Sequence, residues 1–315
     1  MLYHILKKIL QMNKTITIFG GSGFIGKHII RRLSMLGYKL IVPSSDVAQA
    51  QNLKIYGHVG QILILNLKDC SPKLMENIIQ ESETIINLKT IWIEKKEKTF
   101  ERQIYFFNKN LIDIIKKHRN KNYIFFSGLG TSIKSKSKRT FQIAKSEEYV
   151  FSNLNSFSII RPSIVIGTKD KFLSKLIPIF ELPYFFPVFG KGKALIQPTY
   201  VDDVAYAIEK IITLKDYKNN IYELAGNNKL SYLEFYKMIS KIINKKKIFI
   251  NIPFFFMSIF AYIFEKLSLN VINREQLSLF FEDNVMTNKF LKYKDLEIIP
   301  QDIEQKIRYI IKKTR

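Results

Sequence analysis

The chain has 315 residues, 47% of them hydrophobic, so it can bury a globular core as one large domain or two unequal ones. A single cysteine, Cys70, excludes an internal disulfide and suits a reducing compartment. The formal charge of +23 favours an anionic partner such as a membrane surface, or reflects lysine-rich solvated faces, but no zinc or RNA-binding pattern points to nucleic acid.

Residues 1–13 carry leucines and isoleucines at helical spacing, with Lys7 and Lys8 on the opposite side. The segment is too short to span a bilayer and has no cleavage-site pattern. Two interpretations stay open. It is an interfacial helix, or it is an extension upstream of a true start at Met12.

A glycine motif follows the first predicted strand. The apolar run over residues 16–19 predicts a buried parallel strand, and it leads directly into Gly20-x-x-Gly23-x-x-Gly26. Apolar residues then recur at helical spacing until Gly37 ends the helix. This strand–turn–helix context is the one that a dinucleotide site requires. The glycines allow a sharp turn, close approach of a pyrophosphate and tight helix packing, and the helix N-terminus offers N–H groups to phosphates.

Strands and helices then alternate along the chain. Further strands are predicted over residues 38–42, 61–65, 84–88, 123–126, 156–162 and 221–226, with a long helix over residues 100–117. This alternation predicts an α/β fold with a doubly wound parallel sheet of the Rossmann type. Ligands bind at the carboxyl edge of such sheets, so the residues at the strand ends become candidates for the site.

The end of the second strand bears on the choice between NAD and NADP, because an acid there would bind the ribose hydroxyls. Here Pro43 is followed by Ser44, Ser45 and Asp46. The two serines, with nearby lysines to balance charge, favour a 2′-phosphate and hence NADPH. Asp46 keeps NAD(H) open.

Polar residues also end the third strand. Asn66 and Leu67 lead to Asp69, which is expected either to face an adenine ring or to cap the helix that begins near Pro72.

The fourth and fifth strands end in further candidates. Asn87 and Leu88 are expected beside the middle of a cofactor. Lys89 then contacts a phosphate or points to solvent, and solvent is slightly preferred. Ser127 stands at the end of the fifth strand, on the edge where ligands bind.

The C-terminal third of the chain has a different sequence pattern. Asp202 or Asp203 is the simplest N-cap for the helix that follows. The apolar block over residues 252–264 is shorter than a membrane span, so it is interpreted as a buried helix or one lying on a membrane or partner. Predicted boundaries are an extension over 1–13, a nucleotide-binding domain over 14–228 with an irregular insertion at 168–196, and a smaller, mainly helical portion over 229–315.

Several motifs together resemble the extended and atypical short-chain dehydrogenase/reductases: the glycine motif, Ser127, the Phe141-to-Lys145 spacing, Arg161-Pro162-Ser163 and Tyr200-Val201-Asp202-Asp203-Val204. A finer set of blocks is similar to the alpha-subcomplex subunit nine family of respiratory complex I and its bacterial relatives: residues 19–26, 58–61, 161–167, 170–172 and 197–201. That resemblance implies an NADPH-binding, largely non-catalytic subunit, near the quinone site and lipid head groups.

The resemblance and the strand ends together define the expected cofactor contacts: Gly20, Ser22, Gly23, Phe24, Ile25, Gly26, Ser44, Ser45, Asn66, Leu67, Asn87, Leu88, Ser127, Lys145 and Pro162. NADPH is the expected cofactor, with NAD(H) open, and no metal site is expected.

One catalytic group of the short-chain reductases is missing. These enzymes use a tyrosine as general acid/base, a lysine four residues later and a nearby serine. Ser127 and Lys145 match, but Phe141 stands at the tyrosine position and has no proton to give. Tyr149, two helical turns later, cannot take that place.

The sequence is therefore consistent with three functions. The first is a non-catalytic NAD(P)(H)-binding accessory subunit of complex I, in contact with subunits near the quinone site and with anionic membrane. It would lie in the cytoplasm, peripheral to the inner membrane of a bacterium, or on the equivalent organellar matrix face. The second is an active reductase, epimerase or dehydratase on a nucleotide-linked or isoprenoid substrate. The third is a nucleotide-free assembly or membrane factor, which the intact glycine motif disfavours.

Overall fold

The glycine motif joins a buried strand to a helix, as predicted. A computed structural model describes residues 14–215, 218–253, 277 and 279–314. In it, strand β1 is Thr15–Phe19 and helix α1 is Phe24–Met35. Gly37 follows α1 with a φ of 89°, in the left-handed region that ends many helices. The predicted extension over residues 1–13 and residues 254–264 of the predicted apolar block lie outside the described residues.

The strands of the main sheet alternate with helices. After α1 come β2 Lys39–Ser44, α2 Val47–Gln51, β3 Ile62–Asn66, α3 Pro72–Glu81, β4 Thr84–Asn87, α4 Phe107–Ile115, β5 Asn122–Phe126, α5 Lys138–Asn153 and β6 Phe157–Pro162. The later elements are β7 Val165–Ile166, α6 Leu173–Glu181, β8 Phe185–Phe189, β9 Leu195–Ile196, β10 Thr199–Tyr200, α7 Val201–Leu214, β11 Lys218–Leu224, β12 Leu230–Ser231, α8 Tyr232–Ile243, β13 Ile248–Ile252 and α9 Ile303–Thr314.

Among the described residues, seven strands form one sheet in the order β11-β6-β5-β4-β1-β2-β3. The β1 pairings with β2 and β4 are parallel, as are β2–β3, β4–β5 and β5–β6. The chain builds outward from β1 to β3 and then crosses back to place β4 on the other side of β1. Ligands of doubly wound sheets bind at this reversal. The architecture confirms the predicted Rossmann-type fold.

One core cluster packs strands β1, β4, β5 and β6 against α4 and α5. Phe19, Ile85, Tyr123 and Ile159 are at most 1% exposed in this cluster. Burial on both faces explains why these strands are continuous apolar runs. It also fixes the carboxyl ends of β1 and β4 side by side, with Phe19 in register with Asn87.

The predicted helix over residues 100–117 has a different start. Residues Glu101–Phe106 form a π-helical segment that runs directly into α4. A hydrophobic pattern shows which face of a helix is buried, but it does not show whether an N–H group bonds four or five residues back. The sequence therefore could not predict the wider turn.

Two strands also extend further than predicted. β2 includes Ser44 and β3 includes Asn66, and these two residues are in register. Leu67 N–H then donates to the Ser44 carbonyl at 2.9 Å. Pairing with a neighbouring strand, rather than local composition, decides where these strands end.

The described chain divides into two compact units. The first contains 14–127, 142–161, 204–215 and 218–222, and the second contains 128–141, 162–203, 223–253, 277 and 279–314. In the second, Phe180, Phe186 and Tyr236 form an aromatic cluster, with the Phe180 and Phe186 rings stacked at 4.1 Å. The boundaries at 14–228 and 229–315 stay a prediction. No helix within the described ranges is long and apolar enough to cross a membrane.

The expected N-cap at Asp202 or Asp203 is wrong, because α7 already begins at Val201 and both acids lie in its first turn. The Asp203 carboxylate instead accepts hydrogen bonds from Gln301, through its backbone N–H at 2.9 Å and its Nε2 at 2.8 Å. Burial raises the pKa of Asp203, and these two hydrogen bonds oppose that rise. This carboxylate therefore ties the start of α7 to the segment before α9.

Candidate functional site

The glycine turn is a close contact between backbone segments. Gly20 has a φ of 77°, and a Cβ there would lie 2.9 Å from the Leu88 carbonyl carbon. A Cβ on Gly26 would lie 2.5 Å from the Gly21 carbonyl oxygen. Both positions therefore exclude any larger residue unless the backbone moves. The first and third glycines have the conformational roles that the motif predicts.

Gly23, at the N-terminus of α1, is exposed to solvent. Gly23 is its N-cap, in an extended conformation, and no side chain caps the helix. The first turn contains no acidic residue. The N–H groups of Phe24, Ile25 and Gly26 therefore keep the positive end of the helix available to an anion.

Two serine hydroxyls meet beside this turn. Ser22 Oγ lies 3.2 Å from Ser44 Oγ, and Ser44 Oγ donates to the Asp46 carbonyl at 3.0 Å. The Asp46 carboxylate accepts from the Gln49 N–H at 3.0 Å and caps α2. Ser45 is exposed. The acid nearest the end of β2 is thus engaged by a helix N-terminus, and the hydroxyl pair faces the glycine turn.

At the end of β3, Asn66 Nδ2 donates to Asp69 at 2.7 Å. The alternative that Asp69 caps the next helix is wrong, because Ser71 caps α3 by accepting the Leu74 N–H at 3.2 Å. Cys70 Sγ lies 3.4 Å from the Asn66 carbonyl oxygen. Burial raises the pKa of this thiol, and the charge of Asp69 raises it further.

Asn87 is 1% exposed, and its side chain points into the core. Its Nδ2 donates to Tyr123 Oη at 2.9 Å and to Asn108 Oδ1 at 3.2 Å, and its Oδ1 accepts the Lys89 N–H at 3.1 Å. This side chain joins β4, α4 and β5, and the place of Asn87 beside a cofactor stays a prediction. Spacing along the sequence could not show this network, which connects residues 21 and 36 positions away.

Lys89 lies half-buried, which corrects the preference for solvent. Its Nζ is 3.6 Å from the centroid of the Phe107 ring, a cation–π contact. Burial lowers the pKa of Lys89 to about 8, and repulsion from Lys98 adds to the effect.

The remaining catalytic positions belong to β5 and α5. Ser127 directly follows β5, and its N–H donates to the Ile160 carbonyl at 2.8 Å. Lys145 Nζ lies 4.3 Å from the centroid of the Tyr105 ring and 4.0 Å from a Glu101 carboxylate oxygen. Phe141 is 37% exposed, one helical turn before Lys145.

The Tyr149 hydroxyl is held by α4. It donates to Asp113 Oδ1 at 2.7 Å, and Lys109 Nζ lies 3.2 Å from it. Burial opposes ionisation of Asp113, but hydrogen bonds from Lys109, Lys116 and Tyr149 hold the pKa of this carboxyl well below its usual range. Tyr149 therefore joins α5 to α4 and does not replace the missing hydroxyl.

Pro162 ends β6, and its carbonyl accepts the Leu129 N–H at 3.1 Å. Beside it, Arg161 forms a two-point ion pair with Glu147, with Nε donating at 2.9 Å. The two side chains are 13% and 6% exposed. Sequence reasoning included Arg161 only as part of a motif and missed Glu147, because no local signal pairs an arginine on a strand with an acid on the preceding helix.

Comparison with known proteins gives one matching family and several relatives. The model of the NAD dependent epimerase/dehydratase family matches residues 16–225. The mitochondrial NADH dehydrogenase [ubiquinone] 1 alpha subcomplex subunit 9 of Arabidopsis thaliana is 26% identical over 302 residues, covering 91% of this chain and 75% of the relative. The Mus musculus protein of the same name is 24% identical over 314 residues, covering 95% and 80%.

Solved structures share the fold at low identity. UDP-glucuronic acid 4-epimerase from Bacillus cereus, in complex with UDP-glucuronic acid and NAD, superposes with a TM-score of 0.70 at 14% identity, covering 96% of this chain and 100% of that one. dTDP-glucose 4,6-dehydratase from Bacillus anthracis gives 0.67 at 16% identity, covering 95% and 96%. With a family match that extends from β1 through β11, the chain belongs to the NAD dependent epimerase/dehydratase family.

Proposed function

We propose that this protein is an NAD(P)(H)-binding accessory subunit of respiratory complex I that does not turn over a substrate. One observation carries the proposal: the glycine turn is complete, while Phe141 occupies the position of the general acid. The relatives named as complex I subunits support the assignment to that assembly.

The loss of a hydroxyl at Phe141 removes proton transfer but not binding. General acid–base catalysis contributes roughly a hundred- to ten-thousand-fold to rate, so its loss alone reduces turnover severely. The Tyr149 hydroxyl is bound to Asp113 and offers no substitute. A ligand that binds only the folded state stabilises it without any chemistry, and this is the role proposed for the dinucleotide.

The proposed cofactor is NADPH, held by the glycine motif, the ends of β2, β3 and β4, Ser127, Lys145 and Pro162. The exposed Ser45 at the end of β2 supports a 2′-phosphate there, since a hydroxyl group can donate to a phosphate oxygen. The Asp46 carboxylate caps α2 through one oxygen. A carboxylate facing the ribose would favour NAD(H) instead.

The proposed partners are complex I subunits near the quinone site and an anionic membrane surface. The charge of +23 supports an anionic surface. So does a patch on the β8–β13 sheet, where Tyr184, Phe185 and Ile248 are 72%, 55% and 59% exposed beside the lysines of residues 245–247. Apolar side chains flanked by lysines suit a lipid interface. The proposed location is peripheral, on the cytoplasmic face of a bacterial inner membrane or the equivalent organellar matrix face.

Native mass spectrometry of the protein purified from its own cells tests the proposal. We expect bound NADPH and co-purifying complex I subunits. Assays with a quinone, a sugar nucleotide and a carbonyl compound should then show no steady oxidation of NADPH. Steady oxidation, or a protein that binds no dinucleotide when NADPH and NADH are titrated, contradicts it.

The alternative is an active reductase, epimerase or dehydratase in which another group supplies the proton. The retained Ser127 and Lys145 support it. In that case the wild type turns over and Phe141→Tyr changes its rate little. Under the main proposal, the wild type shows no turnover.

A further inference from the structure

Lys89 differs from Lys14 and Lys109, two other half-buried cations of the first unit. Lys14 pairs with Glu83 at 2.9 Å, and Lys109 pairs with Asp113 at 2.7 Å. Among the residues that the structure describes, no carboxylate forms an ion pair with Lys89. Its ammonium group lies instead over an aromatic ring.

Three observations place Lys89 next to the glycine turn and to α4. Leu88 N–H donates to the Phe19 carbonyl at 2.9 Å, which fastens the end of β4 to the residue before the glycine turn. Phe107, which lies under the ammonium group, packs edge-on against the Phe19 ring at 5.4 Å. A Cβ on Gly20 would lie 3.1 Å from the Lys89 backbone nitrogen. The Lys89 backbone therefore lies against the turn, and its ammonium group lies on the side of the sheet covered by α4.

A half-buried cation without a carboxylate is costly for the free protein. Lys98, in the loop after β4, repels it, and the ring of Phe107 only partly compensates. The lowered pKa of Lys89 reflects this cost. An anion at the turn would remove the cost and gain a charge-assisted hydrogen bond.

We propose that Lys89 binds the pyrophosphate of the dinucleotide, as a side-chain ligand that completes the backbone site of the glycine turn and the N-terminus of α1. This inference rests on the dinucleotide binding proposed above and names a binding residue that the glycine motif does not contain. A separate anion, such as the carboxylate of a substrate, is the competing source of the same chemistry.

Calorimetric titration of four proteins tests it: wild type, Lys89→Met, Lys89→Arg and Lys117→Met. Lys117 is the matched control, since it is exposed beyond the other end of α4. The ligands are NADPH and 2′-phospho-ADP-ribose, which keeps the pyrophosphate but lacks nicotinamide. We expect Lys89→Met to weaken both ligands by roughly tenfold or more, which is the size of a lost charge-assisted hydrogen bond. Lys89→Arg should stay within about threefold, and Lys117→Met should not change.

Each other outcome contradicts the inference. If Lys89→Met binds both ligands with unchanged affinity, Lys89 does not contact the dinucleotide. Weaker binding of NADPH with unchanged binding of 2′-phospho-ADP-ribose would assign the lysine to the nicotinamide end of the ligand and not to the pyrophosphate. Thermal unfolding of the free proteins tests whether Lys89 only contributes to packing. We expect Lys89→Met to melt at a temperature no lower than wild type. A lower melting temperature, together with an undiminished rise in melting temperature on adding NADPH, overturns the inference. If wild type binds neither ligand, the proposed function fails instead.

Discussion

The glycine turn and helix α5 are built in different ways. At the turn, most of the proposed ligand contacts are backbone N–H groups, and Gly20 and Gly26 leave no room for a Cβ. On α5, the expected chemistry depends on individual side chains, and a single replacement, Phe141, removes it. A binding site made of backbone survives substitutions around it, whereas a catalytic site made of side chains is lost at one position. Five predictions test this difference.

The largest expected effect is a loss in the free energy of unfolding when the buried ion pair between β6 and α5 is broken. Arg161→Met leaves the Glu147 carboxylate buried without its partner, and breaking a buried ion pair costs about 3–5 kcal/mol. Urea unfolding measures the loss in the free energy of unfolding. The control is Arg308→Met, which breaks the exposed pair with Glu304 and should cost less than about 1 kcal/mol. Equal effects of the two variants would show that the buried pair does not hold α5.

The next effect is on the turn. Gly26→Ala places a Cβ against the Gly21 backbone, and overpacking of this kind costs about 1–3 kcal/mol. We expect this loss in urea unfolding, together with loss of the thermal shift produced by NADPH. Gly128→Ala is the control, because a Cβ there meets nothing within 4 Å. An undiminished NADPH shift in Gly26→Ala would show that the turn does not contact the ligand.

A third effect is on the pH dependence of binding. Above pH 8 the free protein loses the Lys89 proton, because the pKa of this group is about 8. NADPH affinity should therefore fall by roughly tenfold near pH 9 relative to its value at pH 7. Lys98 is the other charged group that lowers the pKa of Lys89, through repulsion. The same fall in Lys89→Met would assign the dependence to another group.

The stability of the free protein should change in the opposite direction. The pKa of Lys89 is lower in the folded chain than in the unfolded one, so between about pH 8 and 10 the unfolded chain binds more protons. Folding stability contributed by this group therefore rises with pH in that window, and Lys89→Met should lack this contribution.

The smallest expected effect is on stability at the lost catalytic position. The ring of Phe141 is 37% exposed, so a hydroxyl added by Phe141→Tyr can remain hydrated, and the free energy of unfolding should change by less than about 0.5 kcal/mol. Turnover assays on the same variant compare it with wild type. A wild type that already turns over, with the variant unchanged, would show that proton transfer never depended on this position.

Much of the fold follows from local signals. The apolar run before Gly20, the glycine spacing and the helical period up to Gly37 each lie within a few residues, and they predict β1, the turn and α1. The strand alternation likewise predicts the parallel sheet. Two boundaries were missed, at Ser44 and Asn66, because each depends on a pairing partner from another strand.

The site was harder to predict, because its side chains depend on distant partners. Asn87 and Lys89 are only two residues apart, yet the amide joins a buried network and the ammonium lies over Phe107. Both outcomes depend on how α4 packs, which no short pattern encodes. Asp46 shows the same limit at the end of β2, where one oxygen of its carboxylate caps a five-residue helix.

The lone thiol has a practical consequence. Cys70 is the only cysteine, it is partly accessible, and it is the residue after Asp69 at the edge of β3. A fluorophore attached there would label every molecule once, beside the strand end expected to meet the adenine. Since its pKa is raised, the coupling reaction will be slow in neutral buffer and faster in mildly alkaline buffer. The chain thus carries a built-in reporter position that needs no engineered cysteine.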